Sequence, residues 1–254
     1  MSPAASAKRW KTVGDRVSKS VGKMTVYPAH GGVMAFLQAR MGSSRLPGKT
    51  LMKIHGRSIL ERAIGRLQAS PVVDAVVVLT TRREEDGAIV AECERLGVSF
   101  YRGPEDDVLA RFYEAAEIFK PEIVIRATAD NPLIEIGSIE RIVTALRSLN
   151  LDYCMETDLP YGAATEAMTA AALAKTHAAA SEPRHLEHVT LYIKEHADEF
   201  RVLLLEPPAG VRRPDFRVTV DTPDDLAAME RLIGRFPETD RLRPLEDYFL
   251  GNTD

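Results

Sequence analysis

Cysteine is scarce in this sequence, and long apolar runs are absent from it. The two cysteines, Cys93 and Cys154, form no CxxC pair and have no histidine at metal-ligand spacing. We therefore expect two buried, reduced thiols, and we expect neither a cysteine metal site nor a disulfide. No stretch of about 18 apolar residues occurs, so no membrane span is expected. These absences predict a cytoplasmic globular protein.

Positive charge is also in short supply over most of the chain. The formal net charge is −4, yet residues 1–30 hold six basic residues against Asp15 alone, a net +5. The rest of the chain carries 27 basic and 36 acidic residues, a net −9. An acidic body argues against general nucleic-acid binding, so no nucleic-acid partner is expected.

Residues 1–33 differ in character from the rest. They are basic, rich in small residues and without helical periodicity, which predicts a disordered N-terminal extension. No apolar stretch follows the basic residues, so a secretory signal is not expected. The alternatives are a start codon assigned too early, with Met24 or Met34 as the true start, an organelle presequence, and an anchor for RNA or a membrane surface.

From Val33 onward, short apolar runs alternate with helical periodicity about every 25 residues. This alternation predicts right-handed βαβ units and a mostly parallel, Rossmann-like α/β sheet with helices on both faces. The predicted strands are 33–38, 75–79, 98–101, 123–127 and 152–155.

After residue 155 the alternation loosens. A helix is predicted from about Met168 and an amphipathic helix over 184–196, with strands at 202–205 and 216–220. Thr222 followed by proline and two acids predicts a capped helix that runs to about Phe236.

Three cations stand close together after the first predicted strand. Arg40, Arg45 and Lys49 fall within ten residues, among glycines and serines that leave backbone N–H groups free to face an anion. Cations and exposed amides suit a polyphosphate, and ligands of parallel sheets bind beyond the strand ends. The loop has neither GxxxxGKS/T nor GxGxxG. We interpret it as a phosphate-binding loop, with a merely basic surface loop as the alternative.

Two aspartates directly follow predicted strands. Asp130 comes after 123–127, and Asp221 comes after 216–220. If both strands are in the sheet, both carboxylates emerge at the edge that carries the basic loop. Hard divalent ions prefer carboxylate and phosphate oxygens, so a Mg²⁺ (or Mn²⁺) site is predicted. The alternatives are a turn role for Asp130 and a helix-start role for Asp221.

The first loop and its flanks also resemble a known family. The run FLQARMGSSRLPGKTL (36–51) is similar to the opening motif of the cytidylyltransferases that activate bacterial surface sugars. It is nearest to the spore-coat polysaccharide biosynthesis F branch, a relative of the acylneuraminate and ketodeoxyoctonate cytidylyltransferases. The resemblance continues, in the family's order, in YRGPEDDVL (101–109), RATADNPLI (126–134), EHVT (187–190) and RVTVDTP (217–223).

The resemblance implies a GT-A-like nucleotidyltransferase domain over 34–254. Within it, 155–210 would form an acceptor-binding and dimerisation subregion, and the chain would act as a homodimer. It also implies that an acceptor oxygen attacks the α-phosphorus of CTP and that pyrophosphate leaves, with the metal on two aspartates. The catalytic residues would be Arg40, Lys49, Asp130 and Asp221.

The same resemblance implies where the nucleotide binds. Relatives usually have Ala-Thr where Thr80 and Thr81 stand. For the loop that carries Arg102 and Asp107, the alternative to base or ribose binding is helix capping by Glu105 and Asp106. The implied nucleotide-binding residues are Gln38, Ala39, Arg40, Met41, Gly42, Ser43, Arg45, Lys49, Thr80, Thr81, Arg102 and Asp107.

The acceptor is expected to be a small molecule bound by residues near 155–190. Ala164 stands where relatives carry an aspartate, so an acidic sugar, a sugar phosphate and a smaller polyol or phosphonate stay open. For His188, a buried hydrogen-bonded role is the alternative. The implied acceptor-binding residues are Asn131, Gly162, Glu166, Arg184, Glu187 and His188.

Three other functions compete with this interpretation. A sugar-phosphate nucleotidyltransferase that uses another NTP would need a longer Gly-rich loop, and a GT-A-like glycosyltransferase would need a DxD motif. Neither feature is clear in the sequence. A nucleotide-binding module without turnover would lack Lys49 or a metal aspartate, and all of these are present.

Overall fold

The computed structural model describes residues 31–239 and 242–250. The extension predicted for 1–33 therefore lies outside the described residues, apart from its last three positions. Val33, the last of these, is the first residue of a strand.

The described residues alternate strands and helices as predicted. The strands are β1 (Val33–Gln38), β2 (Lys53–Ile54), β3 (Arg57–Ser58), β4 (Ala75–Thr81), β5 (Ser99–Gly103), β6 (Ile123–Thr128), β7 (Tyr153–Glu156), β8 (Glu166–Thr169) and β9 (Val202–Leu205). The helices are α1 (Ile59–Ala69), α2 (Gly87–Leu96), α3 (Val108–Phe119), α4 (Ile136–Ser148), α5 (Ala170–Ala179), α6 (Pro183–Glu187), α7 (Leu191–Glu195) and α8 (Pro223–Ile233). Single 3-10 turns occur at Lys49–Leu51, Glu84–Asp86, Ala209–Val211 and Leu245–Tyr248.

Seven strands form one sheet in the order β5-β4-β1-β6-β8-β7-β9. All neighbours pair in parallel except β8, which is antiparallel to both β6 and β7. The prediction of a mostly parallel, Rossmann-like sheet is thus confirmed.

Strand β1 lies at the centre of this sheet and is buried on both faces. Ala35 and Leu37 pack in one core with α1, α2 and α4. Met34 and Phe36 pack in a second core on the opposite face, with α3 and α5. Because side chains alternate along a strand, a continuous apolar run such as β1 can serve both cores.

Two predicted helices come out differently. The helix predicted from about Met168 is preceded by strand β8, which inserts between β6 and β7, and α5 begins at Ala170 with Thr169 as its cap. The helix predicted over 184–196 is split into α6 and α7, because the backbone of His188 leaves the helical region.

The segment 216–220 is not a strand of the sheet, which corrects the prediction. It forms one isolated bridge, between Arg217 and Tyr161. Its other backbone hydrogen bonds include Val220 N–H to the Asp130 carbonyl, at 2.9 Å. This contact still brings Asp221 next to Asp130. The Thr222 cap is confirmed as a capping box with Asp225, and α8 ends at Ile233 rather than near Phe236.

Both cysteines are buried and free, as predicted. Burial raises the pKa of the Cys93 thiol to about 12 and that of Cys154 to about 11. Within the described part of the chain, no helix is both long and apolar enough to cross a bilayer.

Candidate active site

A cavity of about 490 Å³ opens at the carboxyl ends of β1 and β6. It combines the basic loop, both aspartates and the end of α6. The predicted site residues that line it are Gln38, Ala39, Arg40, Gly42, Ser43, Arg45, Lys49, Asp130, Glu187, His188 and Asp221.

Lys49 links the two aspartates at the edge of the cavity. Its ammonium lies 2.9 Å from Asp130 Oδ2 and 2.7 Å from Asp221 Oδ1, and it also donates to the Val220 carbonyl at 2.8 Å. Lys49 is only 8% exposed. A buried ammonium held by two carboxylates and a carbonyl is fixed in position rather than mobile on the surface.

Further cations surround Asp221. Arg45 approaches Oδ1 at 3.0 Å, and Arg217 donates to Oδ2 at 2.6 Å. Burial alone would raise the pKa of Asp221, but the hydrogen bond and charge of Lys49, with Arg217 and Arg45, outweigh burial and lower it. Asp221 is therefore an anion at neutral pH.

Asp130 is oriented by its own loop. The Thr128 hydroxyl donates to Asp130 Oδ1 at 2.7 Å, and the Asn131 amide donates to that hydroxyl at 2.8 Å. Asn131, predicted to bind the acceptor, is thus placed behind Asp130 and outside the cavity lining. Its observed contact orients the aspartate through Thr128.

The basic loop is anchored at both ends. The Thr50 hydroxyl donates to the Arg40 carbonyl at 2.9 Å, and Gly48 N–H donates to the Met41 carbonyl at 3.1 Å. Met41 N–H donates a hydrogen bond to Asp86 Oδ1 at 2.7 Å. Met41, predicted to bind nucleotide, fastens the loop to the segment after β4 through this backbone hydrogen bond.

The structure places four other predicted nucleotide-binding residues away from the cavity lining. Thr80 is fully buried, and the Thr81 hydroxyl donates to Asp86. The Arg102 guanidinium donates to the Thr81 carbonyl at 2.9 Å and to another carbonyl on the same loop. Asp107 caps α3 by accepting from a backbone N–H at 2.7 Å. Thr81, Arg102 and Asp107 thus support the loops around the cavity.

Two predicted acceptor residues also lie elsewhere. Arg184 is exposed and pairs with Glu182 at 2.8 Å and with Glu195 at 2.5 Å. Glu166 is buried beside the cavity rather than in it. The sequence could not show which side of a short helix, or of the unforeseen strand β8, would face the ligand.

Glu166 is the centre of a buried polar cluster. It binds Arg126 at 2.5 Å and Lys194 at 2.6 Å, and it accepts from Tyr153 at 2.5 Å and Thr190 at 2.8 Å. Burial would raise the pKa of Glu166, but the charges of Arg126 and Lys194 hold it at about 2. Arg126 lines the cavity, so Glu166 acts by fixing that cation.

Glu166 gives a prediction for stability and its pH dependence. Because its pKa in the folded state is depressed, its stabilisation is fully present above about pH 4.5 and is lost as the pH falls towards 2. The loss amounts to about 3 kcal/mol. Glu166→Gln should cost roughly 3–5 kcal/mol at pH 7 and remove this part of the acid sensitivity. Urea unfolding at several pH values measures both, with the exposed Glu117→Gln as the control. An unchanged pH slope in Glu166→Gln would contradict the assignment.

Gly162, predicted to bind the acceptor, occupies a crowded turn with φ +97°. A Cβ there would lie 2.8 Å from the Thr219 backbone nitrogen and 2.9 Å from Asn131 Oδ1. We expect Gly162→Ala to destabilise the protein by about 1–3 kcal/mol in urea unfolding. Gly56→Ala is a matched control, because Gly56 also has positive φ (+82°) but open space around it. Equal losses in the two variants would show that crowding at Gly162 is unimportant.

Sequence reasoning missed two cavity cations, Arg111 and Arg126. A signal for each was present. Arg126 is the one charged residue of β6, and Arg111 falls on the face of α3 that carries Val108 and Ala115. A charge on a buried face is costly unless it has a partner, so both positions point to a ligand or an ion pair.

This combination of a mostly parallel sheet, a basic loop after its central strand and two aspartates at one edge defines an α/β nucleotidyltransferase. The family model for cytidylyltransferases matches residues 34–249. The chain belongs to this cytidylyltransferase family.

Similar proteins agree with that assignment. The spore coat polysaccharide biosynthesis protein SpsF of Bacillus subtilis is 34% identical over 205 residues, covering 79% of this chain and 85% of SpsF. An uncharacterized protein of Methanocaldococcus jannaschii is 42% identical over 194 residues, covering 76% of this chain and 80% of its own. The solved structure of a cytidylyltransferase from Leptospira borgpetersenii superposes with a TM-score of 0.80 at 28% identity, covering 87% of this chain and 93% of that one.

Proposed function

We propose that this protein transfers CMP from CTP to an acidic small-molecule acceptor in a Mg²⁺-dependent reaction that releases pyrophosphate. We place the reaction in the cytoplasm, in the biosynthesis of a surface polysaccharide or glycoconjugate, by analogy with the relative named for spore coat polysaccharide. The observation that carries the proposal is the Lys49 ammonium shared by Asp130 and Asp221 beside the basic loop.

The two aspartates fit a divalent metal. Both carboxylates reach the same ammonium, at 2.9 and 2.7 Å, so they are placed to share one cation. No cluster of three or more His, Cys, Asp or Glu that could hold a metal occurs among the described residues. The other ligands would then be phosphate oxygens and water, the arrangement that Mg²⁺ prefers. When bound, Mg²⁺ would neutralise charge on the triphosphate.

The chain's own residues then have distinct tasks. Arg40, Arg45 and Lys49 bind the β- and γ-phosphates and neutralise the charge that develops on the departing pyrophosphate. Asp130 and Asp221 would hold the metal. The acceptor hydroxyl oxygen bonds to the α-phosphorus as the bond to pyrophosphate breaks, and the hydroxyl proton passes to solvent. Catalysis comes mainly from positioning and electrostatics.

The cavity lining supports an anionic acceptor. Arg126 and His188 line the cavity, together with Glu187. Glu166 balances only one of its two cations, Arg126 and Lys194. Arg126 is therefore placed to pair with a carboxylate or phosphate on the acceptor.

We also propose a homodimer formed through residues 155–210. Strand β9 lies in this stretch at the edge of the sheet, and Leu204 on it is 55% exposed. An exposed apolar edge strand is commonly covered by a partner. Light scattering should give twice the chain mass, and Leu204→Lys should shift it to the monomer mass. A wild-type monomer would contradict this proposal.

Ligand-dependent thermal unfolding is the first test of the nucleotide. A ligand that binds only the folded state raises the melting temperature. With Mg²⁺, CTP should raise it clearly, whereas equal concentrations of ATP or GTP should not. Equal protection by all three would indicate a nucleotidyltransferase that uses another NTP or a nucleotide-binding module of low specificity.

A further inference from the structure

A second cavity, of about 480 Å³, lies between one face of α8 and the segment 215–217. We call this cavity the α8 cleft. It shares no lining residue with the active-site cavity, and it lies outside the stretch 155–210 proposed for dimerisation. Its volume is in the range of sites that bind small organic molecules. The chemistry of its lining therefore decides which class of molecule fits.

Part of the lining of the α8 cleft is apolar. Ala228, Met229 and Leu232 lie on the same face of α8, because they are one, three and four positions apart. Phe216 lines the cleft from the neighbouring segment, and both Phe216 and Ala228 are only partly buried. A ring or a hydrocarbon chain of a ligand would cover this apolar surface.

Two cations of the lining, Arg231 and Arg235, have no carboxylate partner in the described part of the chain. Arg231 is exposed and forms no hydrogen bond or ion pair with a described residue. Arg235 donates to the carbonyls of Tyr248 and Leu250, at 3.0 and 2.6 Å, which do not neutralise its charge. The two arginines are also four positions apart at the end of α8, where like charges repel each other. Both charges are therefore available to an anion.

The acidic residue of the lining does not supply that anion. Asp215 is already held by Arg213, which binds both of its carboxylate oxygens at 3.1 Å. Charge complementarity therefore favours an anionic ligand, and the apolar surface favours a ligand with an apolar body. A nucleic acid would need a wider basic surface than these few side chains.

Arg217 connects the α8 cleft to the active site. It lines the cleft, and its guanidinium donates to Asp221 Oδ2 at 2.6 Å and to Asp225 Oδ1 at 3.0 Å. Lys49 and Arg45 hold the other oxygen of Asp221. A metal at Asp221 must therefore compete with Arg217 for Oδ2. An anion in the cleft would offer Arg217 another partner and leave Oδ2 free for the metal.

We propose that the α8 cleft binds a small organic anion with an apolar body through Arg231 and Arg235. The bound anion strengthens metal binding at Asp221 by drawing Arg217 away from that carboxylate. The binding site goes beyond the proposed function, whereas the coupling to the metal rests on it. Such coupling is reciprocal, so Mg²⁺ also tightens the binding of the anion.

The site is tested by calorimetric titration of the full chain with 1-naphthalenesulfonate, which carries a permanent negative charge on an apolar ring. It should bind about 10-fold more tightly than methanesulfonate, which lacks the ring, or 1-naphthol, which lacks the charge. Arg231→Gln should weaken its binding by about 10-fold. Since Arg231 is exposed and contacts no described partner, the variant should keep the wild-type melting temperature.

Two control variants locate the binding. Arg147→Gln removes an exposed arginine of α4 that pairs with Glu122, and it should leave the dissociation constant unchanged. Arg45→Gln removes a cation from the active-site cavity, and it should also leave the constant unchanged. No binding of 1-naphthalenesulfonate, equal binding by the wild type and Arg231→Gln, or a loss confined to Arg45→Gln would overturn the site.

The coupling is measured in the same titration with and without Mg²⁺ at equal ionic strength. In the wild type, Mg²⁺ should tighten the binding of 1-naphthalenesulfonate by about 5-fold, and Arg217→Gln should abolish this effect. Binding that Mg²⁺ does not change would overturn the coupling and leave the site intact. The titration needs no turnover, so a failure of the proposed function, seen as no pyrophosphate release from CTP, is distinguished from a failure of the site.

Discussion

Asp130→Asn should lower the rate of pyrophosphate release from CTP by about 100-fold or more. The substitution keeps the shape of the side chain but removes the negative charge that faces Lys49 at 2.9 Å. It therefore removes half of the carboxylate pair proposed to hold the metal. We expect the loss mainly in kcat, because the charge acts where negative charge is rearranged during the reaction.

The control for this variant is Asp224→Asn. Asp224 is an exposed residue three positions after Asp221, in the first turn of α8. Its removal should leave the rate nearly unchanged. An Asp130→Asn enzyme that keeps a wild-type rate, or whose rate depends on Mg²⁺ as the wild-type rate does, would exclude Asp130 as a metal ligand.

Lys49→Met should have an effect of similar size, about 100-fold or more on turnover. The ammonium is a buried point charge that Asp130, Asp221 and a backbone carbonyl fix in place. Its loss removes a cation from the departing pyrophosphate and leaves two carboxylates close together without a shared counter-charge.

A second measurement separates these two consequences. Without metal, Lys49→Met should unfold at a lower temperature than the wild type, and Mg²⁺ alone should restore more stability to the variant than to the wild type. Lys53→Met, an exposed lysine four residues further along the chain, is the control. A Mg²⁺ effect of equal size in Lys49→Met and the wild type would show that the ammonium and the metal do not share the aspartate pair.

Much of this fold could be predicted from the sequence, because its central strands are short apolar runs. The apolar run of β1 and the 25-residue spacing that follows it indicate a parallel sheet without further information. Strand β8 was not predicted, because Glu166–Thr169 has neither an apolar run nor a clear alternation of apolar and polar residues. Its place between β6 and β7 is decided by pairing with residues far along the chain.

The parts of the site whose residues lie close together in the sequence were predictable. The spacing of Arg40, Arg45 and Lys49 placed the basic loop correctly on the cavity. Asp221 lies next to Asp130, as predicted, but for a different reason. Backbone hydrogen bonds of 216–220 position Asp221, whereas the prediction made 216–220 a strand of the sheet. The pairing of Arg126 with Glu166 could not be read from the sequence, because 40 residues and an unforeseen strand separate them.

Pyrophosphate release is the most direct measurement of the central claim. The protein is incubated with Mg²⁺, one NTP at a time and a panel of acceptors that carry a carboxylate, a phosphate or neither. The proposed mechanism predicts release with CTP, dependent on Mg²⁺ and on an anionic acceptor, and lost in Lys49→Met. Release at equal rates from ATP, GTP or UTP, or no release from CTP with any acceptor of the panel, would contradict it.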